Sequence, residues 1–448
     1  MSMKLPVVLL VLLAATSLCA QTTTGEPPQV GSETYGLAVQ SDAEFKNVLL
    51  LGVTGGVSYN TAGYTITDSA VTPATTTVEG DTRLFIAPYV ALQDTQQTMS
   101  FFVQYAPGVS FDVQHTSNTL STQDLSGEWV WVPTQKWQIR VREDLNITDN
   151  PFAQVGTGGI LPGAGGYGGP VGGAFLPSTK RTMTITTANI SRKLTEHDYV
   201  GIGGSFQLFD YGVLPGGVLS ELVNSHTFSG SAYYSHEFST QWAAGVQGSV
   251  FNIYSESATS PSVLEGRTNS YNLLLFAQWK ATPHSVLTLF AGPNYVQDST
   301  YVLYPANIIP SSPLYANFWK PTGGMTYGWT GERNAVEAQY IQRITDGGGV
   351  LTATSAYAAQ LALRRKFTQR LSGDVRGSFT DQKSVAIGDP QYFSSTWFGA
   401  GATYEFLRNF TGRFDYGFIR QTGTVLTTAV GNQNVFQISL NYHYSRPI

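Results

Sequence analysis

The chain has one cysteine, Cys19, and few charges: Asp, Glu, Lys and Arg make up 12% of its 448 residues. That is about half the charged fraction usual in a soluble globular protein. A chain so poor in charge cannot clothe a large water-facing surface. Long apolar runs are also missing. The one extended run spans Leu5 to Ala15, whereas a membrane-spanning helix needs about 20 consecutive apolar residues, so helical spans are excluded. There is no positive excess, since the net charge is -5 and the pI about 5.7, and hence no footprint for nucleic acid. The chain lacks Gly-x-Ser-x-Gly, a Gly-Lys-Ser/Thr phosphate loop, Cys-x-x-Cys-His and His-Glu-x-x-His. His236 and Glu237 open a zincin-like string, but Thr240 stands where the second ligand belongs. Glu196, His197 and Asp198 are adjacent in a short turn, where neighbouring side chains diverge, and read as a solvated turn rather than a metal or catalytic cluster. No enzyme activity, metal or cofactor is expected.

What is present points elsewhere. Hydrophobic residues reach 42%, with 47 Gly, 24 Tyr and 24 Phe, yet mean hydropathy is only -0.07. Rich in aromatics and neutral on average is the expected composition of a transmembrane β-barrel, whose residues alternate between lipid and water. Residues 1–20 read as a secretory signal peptide, with Lys4 before the apolar run and cleavage after Ala20. Lipidation at Cys19 is the alternative, opposed by the large Leu18 before it. Cleavage after Ala20 leaves a mature chain without cysteine, which excludes disulfides and thiolate sites. Residues 21–43, polar and containing Pro27 and Pro28, read as an N-terminal periplasmic arm, and residues 44–448 as the barrel.

From Phe45 onward, period-two alternation repeats. Tyr271, Leu273, Leu275, Ala277 and Trp279 share one face, and Asn272, Gln278 and Lys280 the other. Eighteen such strands are expected, the first over 45–59 and the last over 433–445, most of them longer than the ~9 to 11 residues that cross a bilayer. Short turns such as VPTQK, FTQR and EFLRN alternate with longer stretches over 60–80, 148–180, 255–267 and 298–315. Short periplasmic turns and long extracellular loops mark an up-and-down membrane barrel. Trp131, Trp137, Trp242, Trp279, Trp329, Phe367, Phe406 and Phe410 sit beside the short turns, where an aromatic girdle would meet the headgroups.

In this pattern the chain resembles the porin-like outer-membrane β-barrel proteins of Gram-negative bacteria. Gln437, Tyr442 and Tyr444 match the last strand of such barrels, while Ser439 replaces a glycine and Ser445 to Ile448 extend past the usual aromatic end. The resemblance implies an outer-membrane location and recognition by the barrel assembly machinery.

Two features carry function. The third long loop, between the fifth and sixth strands, is glycine-dense and uncharged from Gly156 to Phe175. It is either a flexible surface loop or, as its place resembles that of a porin constriction, an infolded element of Gly158, Gly159, Gly163, Gly165, Gly166, Tyr167, Gly168 and Gly169. Facing rules place Arg140, Arg142, Asp144, Glu337, Arg343, Arg364, Lys366, Asp374, Arg376, Glu405, Arg413 and Asp415 in the lumen, away from the lipid-face penalty of ~2 to 4 kcal/mol for Arg or Lys. They are expected both to brace the wall and to set a field for solutes. With Arg83 added, cations exceed acids, so weak anion preference is expected. Glu143 falls on the lipid side, to be relieved by a bulge or by a neighbouring protomer in a homo-oligomer.

Closing eighteen strands leaves an interior too wide for side chains alone to fill. The expectation is a channel for passive diffusion of small hydrophilic solutes, with lipid as its surroundings. An export conduit or a surface-assembly scaffold for a secreted polymer or partner protein is the alternative reading.

Overall fold

The computed structural model describes residues 47–68, 75–113, 119–149, 179–213, 223–257, 264–302, 314–347, 351–385, 391–424 and 432–447. The segments expected to form a leader and an arm, and the glycine-dense loop from Gly156 to Phe175 with all eight residues named in it, lie outside these. Every regular element among the described residues is a strand: β1 (Val48–Asp68), β2 (Thr75–Thr95), β3 (Met99–Asp112), β4 (Thr119–Thr134), β5 (Trp137–Thr148), β6 (Thr179–Lys193), β7 (Asp198–Val213), β8 (Val223–Glu237) and β9 (Trp242–Ser257). The second half adds β10 (Leu264–Thr282), β11 (Ser285–Val302), β12 (Leu314–Thr330), β13 (Asn334–Gly347), β14 (Leu351–Lys366), β15 (Leu371–Ser384), β16 (Tyr392–Leu407), β17 (Phe410–Gly423) and β18 (Asn432–Pro447).

Each strand pairs antiparallel with its sequence neighbours, and β1 closes on β18 from Val48↔Pro447 to Asn60↔Val435. Closure pairs the backbone groups that lipid cannot satisfy. Ser445, Arg446 and Pro447 extend the last strand along Leu50, Leu49 and Val48, so the tail past Tyr444 belongs to the seam.

Alternation sets the two faces. On β10, Leu273 and Leu275 are 55% and 68% exposed, while Leu274 and Phe276 between them are buried on the inner face. Inner aromatics lie flat across glycines of the next strand. Phe276 covers Gly245 and Tyr89 covers Gly52, places where a Cβ would collide with the ring. Outside, Trp242 stacks on Trp279 at 5.6 Å, and eight positions up β10 Tyr271 stacks on Tyr295 at 6.4 Å, which in turn meets a tilted Trp319 at 5.0 Å. Eight residues at ~3.4 Å each, tilted ~40°, rise roughly 20 Å, close to the apolar band of about 25 Å in an outer-membrane barrel. These are the two aromatic girdles.

The long connections differ from expectation. β1 and β2 each run for 21 residues and pair up to Asp68↔Thr75, so most of 60–80 is hairpin rather than loop, with a register shift between Asn60 and Tyr64. The stretches 255–267 and 298–315 likewise contain strand. Ladder pairing above the bilayer satisfies backbone groups directly, and the threonines there suit strands.

One part of the wall departs from a simple cylinder. β12 pairs with β11 up to Leu314, but with β13 only from Thr330↔Ala335 to Gly323↔Gln342. Beyond Gln342, β13 leaves the wall, carrying β14 inward until the two meet β8 and β9 across the interior. There Ile344 and Ala353 cluster with Ile253 and Val296, which point inward from β9 and β11, and Phe318 of β12 packs on the group. Residues 351–356 (LTATSA) are all buried; the small side chains from Thr352 to Ala356 let the hairpin lie against the inner wall.

Candidate functional site

The inner face is polar and densely paired. Asp374 and Arg376 on β15 and Arg413 and Asp415 on β17 meet across β16. Arg413 forks onto Asp415 through Nε at 2.7 Å and Nη2 at 2.6 Å, reaches Asp374 Oδ1 at 2.9 Å, and donates to Thr403 Oγ1 at 3.0 Å. Arg376 Nε lies 2.8 Å from Asp374, its Nη2 3.6 Å from Asp415, and its guanidinium 5.7 Å from the Trp397 ring. Gly401 of β16 makes this possible, because a Cβ there would overlap Arg413 and Asp415. Two cations and two acids cancel within this network.

Several other inner arginines are also countered. Arg142 contacts Asp144 at 2.6 and 3.3 Å, and Arg140 lies 3.6 Å from Glu128. Arg83 pairs with Asp81, and its Nη2 lies 3.8 Å from Asp112. The register puts Glu337, Arg364 and Lys366 on the same face, with Arg364 opposite Asp374. Glu405 stands near the periplasmic end, its N–H donating to the Arg370 carbonyl at 2.8 Å. Arg343 shares their phase but lies just beyond the last β12–β13 pair, on the infolded hairpin. Only Asp374, Arg376, Arg413 and Asp415 converge; β5 carries Arg140, Arg142 and Asp144 elsewhere on the wall.

The cationic excess expected from sequence shrinks once every inward position is counted. Six further acids, Asp81, Asp112, Asp124, Glu128, Glu237 and Asp298, share the inner face by register, as do the cations Arg181, Lys193, Lys280 and Lys320, which brings the two signs close to balance. Their phase was readable: Glu128 stands directly opposite Arg142 and one inner position from Arg140.

Sequence reasoning also missed the hairpin's anchor. Asp346 accepts hydrogen bonds from Ser225 Oγ at 3.1 Å and Gln207 Nε2 at 3.4 Å, on the inner faces of β8 and β7. The signal was Gly347 to Gly349 directly after an acid at the end of a strand, a run that permits a sharp change of direction.

On the outer face, Glu143 is flanked in unbroken register by Gly127 and Thr186, so no bulge turns it inward. Thr186 Oγ1 donates to its carboxylate instead. At the start of β7, Asp198 accepts from Tyr234 Oη at 2.6 Å, from His236 Nδ1 at 2.9 Å and from Thr195. These bonds hold its carboxyl well below the usual carboxylate range. Among the described residues no three His, Cys, Asp or Glu side chains are grouped to hold a metal.

No protein-family model matches the sequence, and no curated protein matches it. Among solved structures it is similar to the ferric citrate transporter FecA (TM-score 0.42, 9% identity, 83% of this chain and 60% of that one). It is also similar to the siderophore receptor PiuA from Acinetobacter baumannii (0.42, 11%, 89% and 82%) and to OccK2 (OpdF) from Pseudomonas aeruginosa (0.37, 9%, 89% and 98%). The chain thus spans 60% of the length of FecA. An even-numbered, closed antiparallel barrel with an apolar outer band between aromatic girdles is the architecture of the outer-membrane barrels of Gram-negative bacteria.

Proposed function

We propose that the chain is a passive outer-membrane channel for small hydrophilic solutes, narrowed by the infolded β13–β14 hairpin. The observation that carries this reading is the pairing of a closed wall, polar inside, with a hairpin end held against its inner face by Ile344 and Asp346. An eighteen-stranded interior is too wide for wall side chains to fill, so the infolded hairpin seen among the described residues narrows its passage. Inner charges arranged as neutralising pairs favour water-filled permeation over capture of one charged solute. The barrel needs lipid around it and assembly machinery for insertion; it acts without a catalytic step, and a second copy covers Glu143.

Planar-bilayer recording of the purified full chain tests this reading. Stepwise conductance without any added partner supports it. Silent insertion, with current only when a partner protein or secreted polymer is present, would favour an export conduit or assembly scaffold.

A further inference from the structure

Where the hairpin overlaps the wall, a second site forms. Phe318 and Val385 pack on the cluster around Ile344 and Ala353 from the β12 side and from the end of β15. Two residues along each chain segment stand Lys320, on the inner face of β12, and Lys383, on β15. Lys320 is partly buried and feels the charge of Lys383. Among the described residues neither lysine is paired with a carboxylate. That contrasts with Arg83, Arg142, Arg376 and Arg413 on the inner face, each of which meets an acid.

Two further polar groups point to the same vacancy of charge. Asn294 is opposite Lys320 in the β11–β12 register and fully buried, and its Nδ2 has no acceptor. Thr322, two positions along β12 and also buried, has an unpartnered Oγ1. Leaving such groups unpaired is unfavourable, and holding two ammonium groups together adds repulsion. One negatively charged acceptor would relieve all of these costs.

Backbone pairing does not close off this place. Above Gly323↔Gln342 the edge of β12 has no β13 beside it, and Trp319 and Tyr315 on that edge are 70% and 66% exposed, against 39% for Trp279 in the lower girdle. The seam between β12 and the infolded strands therefore has no β12–β13 ladder closing it, and Lys383 is exposed.

We propose that Lys320 and Lys383, with Asn294 and Thr322, bind a phosphate-type oxyanion in this seam, carried either by an anionic lipid headgroup or by a soluble solute. The site depends on the infolded hairpin and not on whether the barrel conducts.

Phosphorus NMR of the full-length protein in a neutral detergent tests it, with inorganic phosphate and dihexanoyl phosphatidate as probes. The expected result is saturable broadening of one or both signals. Affinity should fall at least tenfold in K320Q/K383Q and be retained in K320R/K383R. Tighter binding of the phosphatidate identifies a lipid source, and equal binding of both probes identifies the free anion. A heat-dependent shift of gel mobility verifies that each variant is folded, and conductance recorded on the same preparations separates this site from the channel. No broadening with either probe, or equal affinity in the wild type and a folded K320Q/K383Q, would overturn the proposal.

Discussion

Arg413 on β17 reaches past β16 to Asp374 on β15, its Nη2 2.9 Å from Oδ1, and it does so through space left by the missing side chain of Gly401. Three strands are thereby cross-linked on their inner face by side chains alone. Breaking a buried pair of this kind costs ~3–5 kcal/mol, because the remaining charge keeps its desolvation without its partner.

Gly401→Val should therefore lower the urea midpoint of the detergent-solubilised barrel, by a loss of about 3 kcal/mol. Gly230→Val is the control, since nothing lies within 4 Å of a Cβ at that outward position. Loss of the folded, heat-modifiable gel band against urea measures both. Equal midpoints for the two variants would remove the network from the stability of the wall.

Ion selectivity follows from the matched inner charges. With Asp81, Asp112, Asp124 and Glu128 offsetting the arginines, reversal potentials in a salt gradient should indicate a cation-to-anion permeability ratio within about twofold of unity. Arg140→Ser with Arg142→Ser releases Glu128 and Asp144 from their partners, and should move the reversal potential toward cation preference. A strongly anion-selective wild type would contradict this balance.

Glu143 tests association. A carboxylate on the outer face is unfavourable against lipid, and its bond from Thr186 satisfies only part of its capacity. A cysteine introduced at position 143 should give disulfide-linked dimers in native membranes, read on a non-reducing gel. Carrying the change in a Cys19→Ser background keeps the natural cysteine out of the comparison. Monomers only, under oxidising conditions that cross-link a control pair, would leave Glu143 facing lipid.

Much of this architecture is legible in the sequence because sheet faces repeat every two residues and each strand reports its own phase. β10 shows both the strength and the weakness of that rule. Leu273 and Leu275 announce the lipid face, yet Leu274 and Phe276 are equally apolar and point inward, where they cluster with Phe290. The extended β1–β2 hairpin was harder to see, since its threonines carry little hydrophobic contrast. The infolding could not be read locally. Asp346 meets Gln207, 139 residues away in sequence, and Ser225, 121 residues away, and no periodicity encodes which distant wall a hairpin end will touch. The lumen charges were legible singly but not as pairs, because Arg413 and Asp374 meet only once three strands are in register.

Single-channel conductance compares the wild type most directly with a variant in which residues 344–355 are replaced by an Asn-Gly turn, which a two-residue hairpin accommodates. That change removes Ile344, Asp346 and Ala353, the contacts that hold the hairpin against the inner wall, and leaves the pairing of β13 with β12 intact. A channel narrowed by this hairpin gives defined steps in the wild type and clearly larger steps in the variant. Absence of steps in the wild type, or identical steps in both proteins, would contradict it.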